Sequence, residues 1–342
     1  MKLGLLLGLW GADGPPSDLV SAVRTAESVG YESVWTSEAF GSDALTPLAW
    51  LGARTSTIGL GTSVMHMAAR APAATAMAAL SLDHLSGGRF SLGLGLSGPD
   101  LVKGWYGQPF DPPLGRTRDY LGIVRRVLAA DAPVRYDGKH LSVPLRDEGP
   151  PPVALTTMVR PLRPDLPVLL GAEGPKNVAL AREIADGWIA TYYSPYRDGH
   201  YRAALAEGAA RPGVRRAAGE FEVMGAVPVV LDDDVEAAAD RLRPLFASFI
   251  GPPGRNFHRE AFIRMGLEEV AVKVSALWSD GHPKEAAAAI PTRVVEQVAL
   301  IGPPAKLRAD LDAWRESLLT TLLVYVPLHE PALRQVADLV LS

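Results

Sequence analysis

Short apolar runs alternate with amphipathic segments along most of this chain. Each run carries apolar residues at consecutive positions between turn residues, a pattern typical of strands buried on both faces of a parallel sheet. The segments between the runs repeat apolar residues at helical spacing. The predicted strands are residues 3–10, 33–36, 58–64, 89–96, 168–170, 188–191, 220–230 and 320–326, and the predicted helices are residues 18–29, 45–55, 73–85, 117–129, 175–184, 235–249, 307–316 and 332–341.

Strands that alternate with helices in this way favour an α/β fold, a (β/α)8 TIM barrel, over a doubly wound sheet. We expect residues 1–342 to form one barrel domain. Two stretches exceed the minimal barrel, the proline-rich residues 131–166 and the long region 250–300. Insertions of such length are uncommon unless they are functional. We therefore expect both at the rim formed by the C-terminal ends of the strands, the second as a helical cover.

The composition is that of an ordinary globular protein, with 48% apolar and 21% charged residues in a chain of 342. The net charge of −4 and the pI near 6.0 argue against a nucleic acid or an anionic membrane as a partner. No cysteine is present, which excludes disulfides, thiolate metal ligands and cysteine nucleophiles. The seven histidines include no pair at zinc-ligand spacing, so we expect no metal.

The apolar run after Lys2 is short and leads into a turn at residues 11–14. This pattern favours a buried first strand over a signal peptide. No apolar run reaches the length of a membrane span. We therefore expect a soluble protein, and the absence of cysteine fits the reducing cytoplasm.

Residues 167–177, with the sequence PVLLGAEGPKN, combine a buried strand, a glycine loop and the start of a helix. Gly171 and Gly174 open the loop, Pro175 stands where a first helical residue is expected, and Lys176 adds a positive charge. A helix N-terminus behind such a loop presents backbone N–H groups and the positive end of the helix dipole, which suits a phosphate. The same residues also fit a tight turn whose glycines only relieve backbone strain.

Several further motifs accompany this loop. They are VWTSEAFGSDALTPLAWLGARTS at 34–56, LGTSV at 60–64, DHLSGGRFSLGLGLSGP at 83–99, KGWYGQPF at 103–110, IADGWIAT at 184–191 and NFH at 256–258. Together with GAEGPKN at 171–177, and in this order, they resemble the luciferase-like flavin and deazaflavin oxidoreductases, specifically the branch that uses coenzyme F420. The resemblance extends over nearly the whole chain and implies the barrel predicted above.

The resemblance implies a flavin-type ring at the C-terminal ends of the strands, with F420 as the cofactor and FMN as the alternative. The expected cofactor-binding residues are Glu38, Thr62, Ser63, Val64, Ser97 and Gly98 around the ring, and Gly171, Ala172, Glu173, Gly174, Pro175 and Lys176 at the phosphate. Relatives carry a non-prolyl cis peptide after the third strand, which we expect between Ser63 and Val64. Because a carboxylate repels a phosphate, either the Glu173 side chain points away or the backbone alone contacts the phosphate.

Hydride transfer to a polarised double bond requires a proton donor within hydrogen-bond reach. By resemblance, Glu38 ends the second strand beside the cofactor and is the first candidate, followed by His258 in the expected cover and then Tyr192. Several branches of the family carry a histidine after this acid, where this chain has Ala39, so their histidine mechanism is not expected here. Trp10, Trp105 and Tyr193 are the candidate lining of the substrate pocket.

Through this resemblance the chain is predicted to be an F420-dependent oxidoreductase. It would transfer a hydride between the deazaflavin C5 and a small apolar organic molecule with an unsaturated or carbonyl group. Two alternatives stay open, an FMN-dependent monooxygenase of the same fold and a non-catalytic flavin-binding protein. Because relatives are often dimers, a homodimer is expected.

Overall fold

The barrel predicted from the alternating pattern is present. In the computed structural model, residues 1–146, 149, 152–251 and 256–342 are described. The barrel strands are β1 (Lys2–Leu6), β2 (Ser33–Thr36), β3 (Gly59–Thr62), β4 (Phe90–Gly95), β5 (Val168–Gly171), β6 (Gly187–Thr191), β7 (Glu222–Leu231) and β8 (Thr321–Tyr325). Each strand pairs in parallel with the next, and β8 pairs with β1 to close the barrel.

Thirteen α-helices are described. They are α1 (Leu19–Ser28), α2 (Leu45–Gly52), α3 (Pro72–Ser86), α4 (Pro113–Ala129), α5 (Pro175–Ile184), α6 (Gly199–Ala209), α7 (Val235–Ile250), α8 (Phe257–Arg264), α9 (Glu268–Ser279), α10 (Pro283–Ala288), α11 (Thr292–Val298), α12 (Pro304–Arg315) and α13 (Glu330–Leu341). Most surround the barrel and pack against it, while α8 to α11 form a separate layer with α7. In α1 the buried residues include Leu19, Val23 and Ala26, three of the positions whose spacing predicted the helix.

A small apolar cluster fills the interior of the barrel. Its buried members are Trp35, Leu169, Ile189, Met224 and Leu323, and Val64 packs against them from the C-terminal end. Gly61 makes room for the largest of these side chains, since a Cβ there would lie 2.3 Å from the ring of Trp35. The barrel interior is therefore filled by side chains.

Most predicted elements are confirmed within a few residues, with three differences. The first strand ends at Leu6 rather than at residue 10, because the chain turns at Gly8, whose φ is +69°. Helix α6 was not predicted, although Tyr201, Ala204 and Leu205 are buried at helical spacing. A short strand, Leu300–Gly302, pairs with the end of β7 and was also missed.

The two insertions differ in structure. Residues 131–166 contain an antiparallel pair, Tyr136–Asp137 with Ser142–Val143, while residues 147, 148, 150 and 151 of the predicted excursion lie outside the described residues. The predicted cover is helical and consists of α8 to α11, which share a second apolar core with α7. Residues 252–255 of that region lie outside the description. Within the described ranges, no helix combines the length and apolarity needed to cross a bilayer.

Candidate cofactor site

A bulge after β3 covers the C-terminal end of the barrel. The peptide between Ser63 and Val64 is cis, as the resemblance implied. A Cβ at Gly95 would lie 2.3 Å from Val64 Cγ2, and a Cβ at Gly171 would lie 2.8 Å from Val64 Cγ1. Glycines at the ends of β4 and β5 therefore leave the space that the Val64 side chain occupies. Val64 is partly exposed, and the surface between it and the ends of β4 and β5 is here called the cleft.

Thr62 and Ser63 hold this bulge in place. The Thr62 hydroxyl donates to Gly93 O at 2.7 Å and accepts from Gly93 N at 2.9 Å. Thr62 is completely buried, so its side chain lies in the barrel wall, and its contact with the cofactor stays a prediction. The carbonyl of Ser63 accepts a hydrogen bond from Ser37 Oγ at 2.9 Å, which ties the bulge to the end of β2.

The Glu38 side chain also binds to the segment that follows the bulge. One carboxylate oxygen accepts from the backbone N–H of His66 at 2.8 Å, and the other accepts from Arg70 at 2.9 Å. Only 4% of the Glu38 side chain is exposed. Both carboxylate oxygens of Glu38 are therefore already engaged within the protein. The structure thus gives Glu38 an anchoring position rather than the geometry expected of a proton donor.

Three residues around Glu38 were not among the candidates. They are Arg70, His66 and Tyr106, whose ring lies edge-on to that of His66 at 6.0 Å between centroids. Burial lowers the pKa of His66 although Glu38 opposes this, and the buried Nδ1 of His66 has no hydrogen-bond partner among the described residues. The Tyr106 hydroxyl is 3.4 Å from the carbonyl oxygen of Ala39, the position at which a histidine was expected in relatives. Burial and then the Glu38 charge raise the pKa of Tyr106.

The loop after β4 forms one side of the cleft. Ser97 is partly exposed and has a φ of +62°, while a Cβ at Gly98 would meet nothing within 4 Å. The chain then enters a π-helical turn, Leu101–Trp105, in which Trp105 is 64% exposed. Both predicted ring-contacting residues of this loop therefore border open space.

The predicted phosphate loop has the expected form. Gly174 precedes Pro175, the first residue of α5, and the first-turn N–H groups of a helix lack intrahelical partners. Gly174 has an ordinary φ of −75°, and a Cβ there would meet nothing within 4 Å. Neither backbone strain nor packing therefore requires a glycine here, and glycine is among the residues favoured at a helix N-cap. Trp188 fixes the loop by donating from Nε1 to Ala172 O at 2.7 Å.

The Glu173 side chain points away from the open face of this loop. Its Oε1 lies 2.7 Å from Nδ1 of His258 on α8, and only 11% of the side chain is exposed. The first of the two expectations for Glu173 is met in this way. His258 contacts the phosphate loop through Glu173, which sequence reasoning did not predict because the two residues lie far apart in the chain.

Tyr192 and Tyr193 occupy different positions from those expected. Tyr192 is 5% exposed and packs under the cover against Phe246, Phe249 and Phe262, and burial raises its pKa well above the ordinary value. It is therefore not an accessible catalytic acid. Tyr193 is fully buried outside the barrel, where its hydroxyl donates to Asp198 at 2.8 Å, so it does not line a substrate pocket.

The remaining two pocket candidates are accessible. Trp10 is partly buried in the loop after β1, and its backbone lies close to Gly41. A cavity of about 360 Å³ adjoins the bulge between the N-termini of α3 and α4. Apolar side chains including Met67, Leu96, Val102 and Phe110 line it together with Arg116. Within the described residues, no group of three or more histidine, aspartate or glutamate side chains is arranged to hold a metal.

The family assignment rests on comparisons with known proteins. The family model for luciferase-like monooxygenases matches residues 7–321. A Mycobacterium tuberculosis protein described as a coenzyme F420-dependent oxidoreductase is 48% identical over 329 residues, which cover 95% of this chain and 94% of that protein. The chain belongs to the luciferase-like family.

A further relative and a solved structure are also similar to this chain. The 5,10-methylenetetrahydromethanopterin reductase of Archaeoglobus fulgidus is 25% identical over 284 residues, or 82% of this chain and 81% of that enzyme. The structure of the F420-dependent tetrahydromethanopterin reductase from Methanopyrus kandleri superposes with a TM-score of 0.82 at 22% identity and covers 99% of this chain and 98% of that one. The predicted family and barrel fold are thereby confirmed.

Proposed function

We propose that this protein is an F420-dependent oxidoreductase that exchanges a hydride between the deazaflavin C5 and an organic substrate. The observation that carries the proposal is that the Val64 bulge, the open Ser97–Gly98 loop and the N-terminus of α5 follow the neighbouring strands β3, β4 and β5, and the cofactor is proposed to bind between them. The 48% identical relative, whose name includes F420, supports the choice of this cofactor over FMN.

The residues of the cleft fit a planar ring that carries a phosphate. The partly exposed Val64 side chain offers an apolar floor, and Gly98 leaves space beside it. The backbone of the 171–176 loop and the positive end of the α5 dipole would hold the phosphate, with Lys176 on the exposed first turn of the helix. A cleft that binds and orients two reactants supplies a large part of the rate enhancement by position alone.

When bound, the reduced deazaflavin supplies a hydride, and the chain must then supply a proton. We assign this proton to Tyr106, since the Glu38 carboxylate is paired with Arg70 and His258 is paired with Glu173. Tyr106 is partly exposed, and its raised pKa keeps the proton on the oxygen at neutral pH. Glu38 acts through the bulge as a positioning residue.

The substrate is proposed to be a small apolar molecule with an unsaturated or carbonyl group. The cavity beside the bulge supports this class, because its lining is mainly apolar and its volume suits a small organic ligand. A location in the cytoplasm and a single domain over the whole chain stay predictions.

Fluorescence titration with F420, and in parallel with FMN, tests the proposal. Wild-type protein is expected to bind F420 in preference to FMN and to oxidise the reduced cofactor when a suitable acceptor is present. The Gly174→Asp variant is expected to lose binding while keeping its fold, because a carboxylate would then face the phosphate. Preference for FMN would favour the monooxygenase alternative. Binding of F420 without turnover on any acceptor would favour the non-catalytic binder.

We also propose that the protein is a homodimer whose interface includes the outer face of α3. Met77 and Leu85 lie on one face of this helix and are 59% and 76% exposed. Residues 153–162 run beside it and expose further apolar side chains, including Leu155 and Met158. His84 Nε2 at 2.8 Å from Arg160 O joins the two segments. Exposed apolar side chains on two segments that contact each other are typical of a protein interface.

A further inference from the structure

The phosphate loop contains a buried ion pair with the cover. Oε1 of Glu173 lies 2.7 Å from Nδ1 of His258, the second residue of α8. His258 Nδ1 is buried and close to Glu173, but it makes no hydrogen bond of regular geometry among the described residues; a third of the whole side chain is exposed. The second carboxylate oxygen of Glu173, Oε2, is buried without a hydrogen-bond partner among the described residues. A negative charge therefore lies just behind the loop proposed to bind a phosphate.

Few other groups are placed to balance this charge. Arg264, also on α8, donates to the carbonyl oxygen of Glu173 at 3.3 Å rather than to its carboxylate. Tyr192 packs edge-on against His258 at 5.4 Å between ring centroids, and Phe249 packs against it at 5.0 Å. From α6, Tyr201 lies within electrostatic reach of Glu173, and its buried hydroxyl has no partner among the described residues. His258 is thus the side chain that directly pairs with the Glu173 carboxylate.

We propose that His258 is a positioning residue for the cofactor phosphate. His258 neutralises Glu173 and holds α8 against the 171–176 loop, so the loop binds an anion more strongly when His258 is protonated. The inference rests on the proposed phosphate site of this loop and not on which flavin-type cofactor occupies it. It also explains how the loop tolerates a carboxylate at position 173.

The direction of the pH dependence follows from linkage. Burial of the imidazole favours its neutral form, but the Glu173 carboxylate outweighs this effect and raises the pKa of His258 above its usual value. A phosphate bound nearby stabilises the imidazolium further, so binding is coupled to proton uptake. Affinity is therefore highest below the pKa of His258 in the free protein and falls as the pH rises through the pKa in the complex. A change of one unit in that pKa corresponds to about a tenfold change in affinity.

The experiment measures F420 affinity by fluorescence between pH 6 and pH 9 in four proteins (roughly the range over which a histidine with a raised pKa titrates). In the wild type, affinity is expected to fall about tenfold over this range. The His258→Gln variant keeps a donor for Glu173 but no charge, and it should bind weakly with no pH dependence. The Glu173→Gln variant should bind tightly at every pH, because the repelling charge is gone. The double variant should resemble Glu173→Gln.

His282→Gln is the matched control. His282 Nδ1 lies 3.7 Å from Oε1 of Glu285 in an exposed pair at the start of α10. This variant removes a histidine paired with a glutamate but should leave the affinity and its pH profile unchanged. Thermal unfolding of every variant separates loss of binding from loss of fold.

A second measurement does not depend on F420. The pKa of His258 in the protein without cofactor, followed by NMR, should fall in Glu173→Gln and should rise when inorganic phosphate is added. If F420 does not bind but phosphate raises this pKa, the proposed function fails and the inference stands. If F420 binds with the same pH profile in wild type and His258→Gln, the inference is overturned while the proposed function stands.

Discussion

Glu38 acts on the proposed cofactor site indirectly, by holding the bulge after β3 in place. Its carboxylate joins the end of β2 to the backbone of His66 and to Arg70, so the bulge beneath the cleft depends on it. We expect Glu38→Gln to destabilise the protein by about 2–3 kcal/mol, because Arg70 loses its buried partner. F420 binding should weaken as the Val64 floor shifts. Chemical denaturation and fluorescence titration measure the two effects.

Glu32→Gln provides the control for this change, since Glu32 is exposed and lies just before β2. It should alter neither stability nor binding. If Glu38→Gln left both unchanged but slowed hydride transfer, Glu38 would take part in the chemistry, as the sequence first indicated, and the anchoring role would be wrong.

For Tyr106 we predict the opposite of Glu38, namely that its substitution lowers the reaction rate without weakening F420 binding. Phenylalanine keeps the ring next to His66 but removes the hydroxyl near Ala39. We expect Tyr106→Phe to lower the rate of acceptor reduction by roughly 10²-fold or more, the usual contribution of a general acid. The dissociation constant for F420 should stay within about twofold, since the proposed hydroxyl acts on the substrate. Tyr196→Phe, at a 53% exposed tyrosine, is the control and should behave as wild type.

Tyr192 and Tyr193 lie in positions that the sequence did not predict. Tyr192 and Tyr193 follow β6, where alternating side chains are expected to face opposite sides. Tyr192 instead has a φ of +52°, and its side chain lies under the cover while Tyr193 packs outside the barrel. A sequence does not reveal such a conformation in a tyrosine. The pairs Glu38–Arg70 and Glu173–His258 were missed because folding brings together residues that are distant in the chain.

At the scale of elements, α1 is joined to the start of β3 by one carboxylate. Oε1 of Glu27 accepts hydrogen bonds from the backbone N–H groups of residues 56, 57 and 58 at 2.6–2.9 Å. Partial burial opposes ionisation, but these bonds outweigh it and lower the pKa of Glu27 to about 2. A lowered pKa contributes stability above the unfolded value near 4.5, and this contribution is lost as the pH falls towards 2.

We therefore expect Glu27→Gln to cost about 1–2 kcal/mol at pH 7, a value reduced for solvent screening of this partly exposed group. At a pH near 2 the two proteins should differ much less in their free energy of unfolding, because the wild-type carboxyl is then largely protonated. Urea denaturation at both pH values measures the difference. Equal destabilisation at both would show that the amide fails to fit the site rather than that a charge is lost.

The strands were predictable because burial on both faces of the barrel requires continuous apolar runs. Most helices were predictable because one face of each is apolar and buried. Strand β2 was predicted with its observed bounds, and α5 was predicted from Pro175 to Ile184. Helix α6 was missed because its buried face consists partly of Ala204 and Gly208, small residues that weaken the apolar signal. The glycines of β4 were recognised in the sequence as part of a motif. Their structural role, to leave space for Val64 and for the Thr62 backbone, depends on contacts that the sequence does not reveal.

In the assembled molecule, α3 connects the region around Glu38 with the exposed apolar side chains proposed as the dimer interface. Helix α3 begins directly after the segment that carries Arg70, the partner of Glu38, and ends beside the exposed residues 153–162. Asp83 on α3 also receives a paired hydrogen bond from Arg163, which fixes that segment against the helix. A second copy seated on this surface would therefore support α3 close to the site, so assembly and cofactor binding are expected to be linked.

We predict that a charge introduced on the exposed face of α3 weakens the association of two protomers into the dimer. Leu85→Glu places a carboxylate on the exposed face of α3, and we expect it to weaken dimerisation by roughly 30-fold or more, as for a central interface residue. The monomer should keep its fold, since Leu85 is 76% exposed. Light scattering after size exclusion, over a range of protein concentrations, measures the mass. Val272→Glu on α9, at a 46% exposed site away from this surface, is the control and should remain dimeric. A wild-type protein that is monomeric throughout, or a Leu85→Glu variant that dimerises normally, would remove this surface as the interface.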